Sequence, residues 1–208
     1  MENEQYDSFF IDIYRCWTNC LTMLRDRGYD YPKVLDTYKQ NEFYTLYQNK
    51  DADSGFNNYD IFATSGTNKL LVKFIIDLEN IRAEKIKLTR TAVDSSSKYG
   101  PETKIIYILK QKPSQNVLKE VKNTDEVFYY TELVVNRIYH RLVPKHVLLN
   151  DAEKRELLLS YDIRDTQLPR MVTNDFVARY FGAKVGDIFR IYRNSPSTGV
   201  TISYRIVK

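Results

Sequence analysis

HRLVPKHVLLNDAEKRELLLSYDIRDTQLPRMVTNDFVARYFGAKVGDIFRIYRNSPSTGVTISYRIV fills residues 140–207, and its closing part decides how the stretch folds. IFRIYR at 188–193 and VTISYRIV at 200–207 are rich in β-branched and aromatic residues. They flank NSPSTG at 194–199, a turn-forming spacer, so the segment predicts an antiparallel hairpin with a loop longer than two residues. Upstream, Asp151 is a candidate N-cap for an acidic, leucine-rich helix that runs to about Tyr161. A second short helix is expected over Asp175–Phe181, with Gly182 ending it. Pro144 stands between the chain's two histidines, His140 and His146, and predicts an irregular turn there. Strands with segregated short helices make this an α+β unit.

Working back toward the N-terminus, Phe10, Ile13, Tyr14, Trp17, Leu21 and Leu24 recur at helical spacing, the stripe of an amphipathic helix over 6–27. DRGY at 26–29 reads as its terminator, with Arg25 and Arg27 at the negative end of the dipole and Gly28 free to turn left-handed. A second helix is expected over Val34–Tyr47, then a loop over NKDADSGFNNYD at 49–60. KLLVKFII at 69–76 and KIIYIL at 104–109 read as buried strands, with a helix from about Arg82 to Val93 between them and SSSKYGP as its break. Strand, helix and strand in alternation predict an α/β domain built on a mixed sheet with flanking helices. EVFYYTELVVN at 126–136 reads as continuous extended chain, and the division between the two domains is expected at about residue 132, giving domains 1–132 and 133–208.

At 208 residues, 43% hydrophobic and 28% charged, the chain has globular composition, which argues against disorder. No apolar run approaches the length of a spanning helix and the N-terminus lacks signal-peptide character, so an intracellular location and no membrane are expected. Residues 133–208 hold 13 Lys and Arg against 7 Asp and Glu, a net +6. That leaves −2 for residues 1–132, with 18 against 20. A basic C-terminal part fits a nucleic-acid footprint or an acidic protein partner. Cys16 and Cys20, four apart in a helix, are poorly placed for a mutual disulfide, and neither they nor the distant histidines make a zinc motif.

Phosphate-binding, zincin, hydrolase and calcium-loop motifs are absent. Glu102 with Lys104, and Glu120 with Lys122, have the Glu-x-Lys spacing of metal-dependent nucleases, with Asp77 as the one candidate upstream acid. That spacing is common in charged proteins. Structural hydrogen bonding is the better reading of both histidines. Between residues 104 and 122, Lys104, Lys110, Lys112, Lys119 and Lys122 face one acid, Glu120, and Ser114 with Gln115 can cap a following helix. Lysines beside a helix N-terminus suit a phosphate, although a solvated basic face explains them equally well.

VPKH, LPR, VARYFG, VGD and SYRIV follow one another as they do in the C-terminal module of the fifth subunit of eukaryotic RNA polymerases, a module similar to a small subunit of the archaeal enzyme. The likeness is strong after residue 133 and looser before it, where DRGY resembles the close of the family's first helix. The chain departs from the family at 175–176, where Asp-Phe replaces the usual Asp-Pro. The resemblance implies a noncatalytic subunit without cofactor, metal or small-molecule substrate. Its N-terminal jaw would lie near downstream double-stranded DNA, and its C-terminal assembly domain would dock on the largest polymerase subunit among other subunits. KQKPSQ at 110–115 resembles the jaw loop that approaches DNA: Pro113 and Ser114 match its Thr-Pro-Ser-Ala motif, while Lys112 and Gln115 depart from it. Lys110, Lys112, Pro113 and Ser114 are therefore the expected DNA-proximal residues. Arg170, Arg179, Tyr180, Tyr204 and Arg205 are the expected assembly interface, although both tyrosines equally suit the module's core. A nuclear location follows from the eukaryotic likeness, or a cytoplasmic viral factory or virion if the chain belongs to a polymerase encoded by a large DNA virus. An independent DNA-binding transcription factor and the metal-dependent nuclease are the alternatives.

Overall fold

In a computed structural model, which describes residues 6–48, 56–76, 81–195 and 199–208, the chain divides into two compact units, Met1–Val135 and Asn136–Lys208. No helix among the described residues is long and apolar enough to cross a membrane.

The first unit is a mixed sheet in the order β1-β2-β3-β4, formed by Ile61–Ser65, Asn68–Ile75, Lys104–Leu109 and Glu126–Tyr129. β1 and β2 are an antiparallel hairpin, whereas β2, β3 and β4 run parallel. In β2 and β3 almost every residue is buried, as expected of strands covered on both faces. On one face Leu71, Ile75, Ile105, Tyr107 and Leu109 pack with Ile86 and Val93 of helix α3 (Ala83–Ser95) and Val117 of α4 (Gln115–Glu120). On the other face Phe74 meets Tyr59, which leads into an aromatic cluster with Phe43, Trp17 and Phe10.

Helix α1 (Ser8–Asp26) buries the expected stripe, and Gly28 at φ +75° ends it, so a side chain there would strain the turn. Cys16 and Cys20 are both fully buried, and burial pushes the Cys16 thiol well up, with Cys20 adding to the shift. They act as small core residues.

Four local expectations need correction. The helix expected over Val34–Tyr47 is broken into a 3-10 turn, Lys33–Thr37, and α2, Gln40–Gln48. The Thr37 hydroxyl donates to the Val34 carbonyl at 2.7 Å, and Tyr38 is extended with its carbonyl taken by the Tyr14 hydroxyl at 3.0 Å. Strand β1 was not anticipated; Gly66, at φ +58°, closes its turn to β2. Of the expected loop at 49–60, residues 49–55 lie outside the described residues. The third correction is at 126–136, where β4 passes directly into a short helix, α5 (Tyr130–Leu133). The Glu132 carboxylate accepts from the Tyr129 N–H at 3.0 Å, and the Asn19 amide donates to the Leu133 and Val134 carbonyls at 2.7 and 3.2 Å, tying this helix to α1.

The second unit is a four-stranded sheet in the order β5-β7-β8-β6, from Lys145–Leu148, Ile188–Ser195, Gly199–Val207 and Arg170–Met171. The hairpin is longer than expected, with β7 and β8 paired out to Ser195 and Gly199. One face packs Ile188 and Ile206 with Leu157 of α6 (Asp151–Ser160), Leu149 and Leu168. The opposite face packs Phe189, Ile191 and Val207 with Ala178 of α7 (Phe176–Tyr180) and Met171.

The fourth correction moves the cap of α6 one residue back. Asn150 accepts from the Ala152 and Glu153 N–H groups at 3.0 and 2.9 Å, and the Glu153 carboxylate accepts from the Asn150 N–H at 2.9 Å. Asn150→Ala is expected to cost about 1 kcal/mol, read as a fall in the thermal midpoint of this unit, with Asp151→Ala costing less. Asp175 caps α7 as expected, by accepting from the Val177 N–H at 2.8 Å, so the helix starts correctly without proline.

Candidate functional site

In the first unit the expected DNA-proximal loop leaves the carboxyl end of β3. Lys112 and Ser114 are exposed, Lys110 is half-buried and Pro113 is buried. The Lys110 ammonium lies 4.8 Å from the centre of the Phe9 ring, which itself meets Tyr130 edge-on at 5.5 Å. Ser114 is the N-cap of α4, yet its hydroxyl makes no capping bond; the first turn is held by its carbonyl, which accepts from Val117 and Leu118. With only six residues, α4 offers little of the dipole that a phosphate would use.

The basic run does not act as one patch. Lys104 donates to Glu126 at the other end of β3, where Arg27 also grips Glu126 with two bonds at 2.7 and 3.2 Å. These cations hold the Glu126 carboxyl below its usual range, although its burial alone, the largest single influence, would raise it. Beside it, Asp125 accepts from the Ile105 N–H at 3.0 Å and lies near Arg90, and burial nevertheless pushes its carboxyl up. Glu120 is engaged by Lys87 at 3.2 Å. Lys112, Lys119 and Lys122 remain on the surface.

Of the residues considered for nuclease chemistry, Glu102 is exposed, Lys104 and Glu120 are engaged as described, and Asp77 lies outside the described residues. Among the described residues no group of three or more His, Cys, Asp or Glu is arranged to hold a metal. The histidines make local bonds: His140 Nδ1 accepts from the Leu142 N–H at 3.2 Å, and His146 Nδ1 lies 2.6 Å from the Pro144 carbonyl with its ring against Phe189. Burial lowers the His146 pKa, so the ring stays neutral at pH 7.

In the second unit the pairing of β6 with β8 brings three of the five expected interface residues together. Arg205 donates to the Arg170 carbonyl at 3.3 Å, and Tyr204 sits one residue before it on the other face. The Tyr204 ring is half-buried, meets Tyr161 at 6.2 Å and lies under the Arg190 guanidinium at 5.8 Å. Arg179 and Tyr180 sit apart on α7. Tyr180 is only 1% exposed, its ring packed against Phe176 and Phe181, so it serves the core and offers no surface to a partner. Sequence reasoning missed the exposed Val200 and Ile202 on β8, which precede Tyr204 on the same face. Their alternation with Thr201 and Ser203 was the available signal.

Residues 135–207 match the family model described as RNA polymerase Rpb5, C-terminal domain. The RPABC1 subunit of DNA-directed RNA polymerases I, II and III of Caenorhabditis briggsae is 30% identical over 95% of this chain and 97% of its own length. Subunit 5A of DNA-directed RNA polymerase V from Arabidopsis thaliana is 27% identical over 93% of the chain and 87% of its own. The corresponding rpabc1 subunit of Dictyostelium discoideum is 49% identical, but over 42% of this chain and 45% of its own length. The ordered segments of the second unit and the likeness that runs on through the mixed sheet of the first lead to one conclusion: the chain belongs to the Rpb5 family of DNA-directed RNA polymerase subunits.

Proposed function

We propose that this chain is a noncatalytic component of a multisubunit, nuclear DNA-directed RNA polymerase. Residues 136–208 act as the assembly domain that docks on the largest subunit, and the first unit acts as a jaw beside the entering duplex. The observation that carries this reading is the span of the likeness, which covers both units and nearly the full length of a polymerase subunit. The grouping of Arg170, Tyr204 and Arg205 on neighbouring strands supports the docking role, since arginine and aromatic side chains dominate the energetics of such interfaces. Bond making and breaking belong to the other subunits. The test is recovery of the tagged chain from its native source: stoichiometric association with very large polymerase subunits is expected. A free monomer that binds DNA tightly, or turns over a substrate unaided, would overturn the reading.

Within the jaw, Lys112 is the exposed cation of the loop, whereas Lys110 is held over Phe9. Lys110→Glu combined with Lys112→Glu is expected to weaken the assembled polymerase's hold on downstream DNA. It should also flatten the dependence of log K on log salt by about 1–2 units, with the Lys112 change giving the larger share. Assembly should be intact. Release of the double variant from the complex would contradict the division of labour between the units.

A further inference from the structure

The outer half of β8 is an open sheet edge. β6 covers only Ile206 and Val207, and among the described residues no strand pairs with the same side of β8 from Gly199 to Arg205. The direction of its backbone groups follows from the bonds that are made. Ile206 and Lys208 donate their N–H groups to the Pro169 and Met171 carbonyls on the β6 side, while Val207 donates to Asp187 on the β7 side. Since successive residues of a strand alternate, the N–H groups of Val200, Ile202 and Tyr204 point past the end of β6, away from β7. The side chains of the same three residues share one face, and Val200 and Ile202 are 61% and 49% exposed.

Sheet edges normally carry protection such as a proline, a lysine or a very short strand. The opposite edge of this sheet has such protection: β5 is four residues long, begins with Lys145 and follows Pro144. The open part of β8 reads GVTISY, β-branched and without any of these devices. Its surroundings are basic. β7 and β8 carry Arg190, Arg193 and Arg205 and no Asp or Glu, and Arg205 reaches across the edge to Arg170. A second copy of this chain pairing edge to edge would bring these cations against their own counterparts, which disfavours it.

We infer that the edge of β8 from Gly199 to Arg205 receives an extended segment of another polymerase subunit. That segment would add a fifth strand in line with β6, with apolar residues over Val200 and Ile202 and acidic residues toward Arg205 and Arg193. This rests on the assembly role proposed above and gives it a mode. The edge amides decide the test. In the isolated chain, hydrogen exchange at Val200, Ile202 and Tyr204 is expected to be fast, and in the purified polymerase at least a hundredfold slower. Equal exchange in both states would overturn the inference, as would slow exchange in an isolated chain that proves to be a dimer.

Two variants separate backbone from side chain. Ile202→Pro removes an N–H that β7 does not use, so the fold should survive, yet recovery with the polymerase should fall at least tenfold. Ile202→Ala keeps the N–H and should be recovered to at least a third of the wild-type level. Incorporation of the proline variant at the wild-type level would sink the strand addition while leaving the subunit assignment standing. Failure of the wild-type chain to join any polymerase would instead remove the assignment itself. If the proline variant does not fold, the exchange measurement alone decides.

Discussion

Asp60→Ala is expected to destabilise the first unit by about 3–5 kcal/mol. Asp60 and Lys73 are both nearly inaccessible, each side chain 3% exposed, and Lys73 donates to Asp60 at 2.6 Å. The same carboxylate accepts from the backbone N–H of Phe74 at 3.0 Å and of Asn57 at 2.7 Å. Truncation therefore takes an acceptor from three donors at once and leaves Lys73 in the interior without its carboxylate. Chemical denaturation followed by tryptophan fluorescence is a suitable measurement, because Trp17 lies in the adjoining aromatic cluster and donates to the Tyr59 carbonyl. A loss below about 1 kcal/mol would mean that the ion pair is far better hydrated than its burial indicates.

Glu126→Ala is expected to cost about 3 kcal/mol and to change the acid limb of the stability profile. Arg27, 4% exposed, and Lys104 both converge on this carboxylate at the start of β4. Because its folded pKa lies below the unfolded value, Glu126 contributes stability that is complete above the unfolded pKa of about 4.3. That contribution is lost as pH falls toward the folded pKa. Asp60 and Asp125 act in the opposite sense. Burial raises both, so below neutral pH the folded state takes up their protons before the unfolded state does, and stability gains from them as pH falls through their folded values. The variant should therefore lose less stability than the wild type as pH falls below the unfolded pKa of about 4.3. An unchanged slope there would remove Glu126 as the source.

The elements that could be read from the chain were those whose signal is periodic and local. Trp17, Leu21 and Leu24 mark α1 by spacing alone, and KLLVKFII and KIIYIL mark strands that are covered on both faces. Where tertiary contacts override local preference, the reading failed. Tyr129 and Tyr130 favour extended chain, but Glu132 caps a turn there and Asn19, more than a hundred residues away, holds it. Lys104 looked like one of five solvated lysines because its partner is set by strand register: Glu126 lies opposite Ile106 in the parallel pair, at the same end of the sheet. The residues proposed for the interface could be picked by type, but not by exposure. Strand pairing brings Arg205 to the Arg170 carbonyl and leaves Tyr204 on the opposite face, whereas Tyr180 turns inward. The open edge beside them could not be read in advance, because which half of β8 is covered depends on how short β6 is.

The bond from Asn19 to Leu133 spans 114 positions, and the one from Arg27 to Glu126 spans 99. A ribosome adding about 5–20 residues per second needs several seconds or more to deliver those distant partners. During that interval Phe43 and Tyr59 can already meet Phe10 and Trp17, but the end of the helix held by Leu133 and Glu126 waits for its partners. Translation speed and chaperone supply should therefore govern the yield of this polypeptide far more than the later, short-range closure of its carboxy-terminal hairpin.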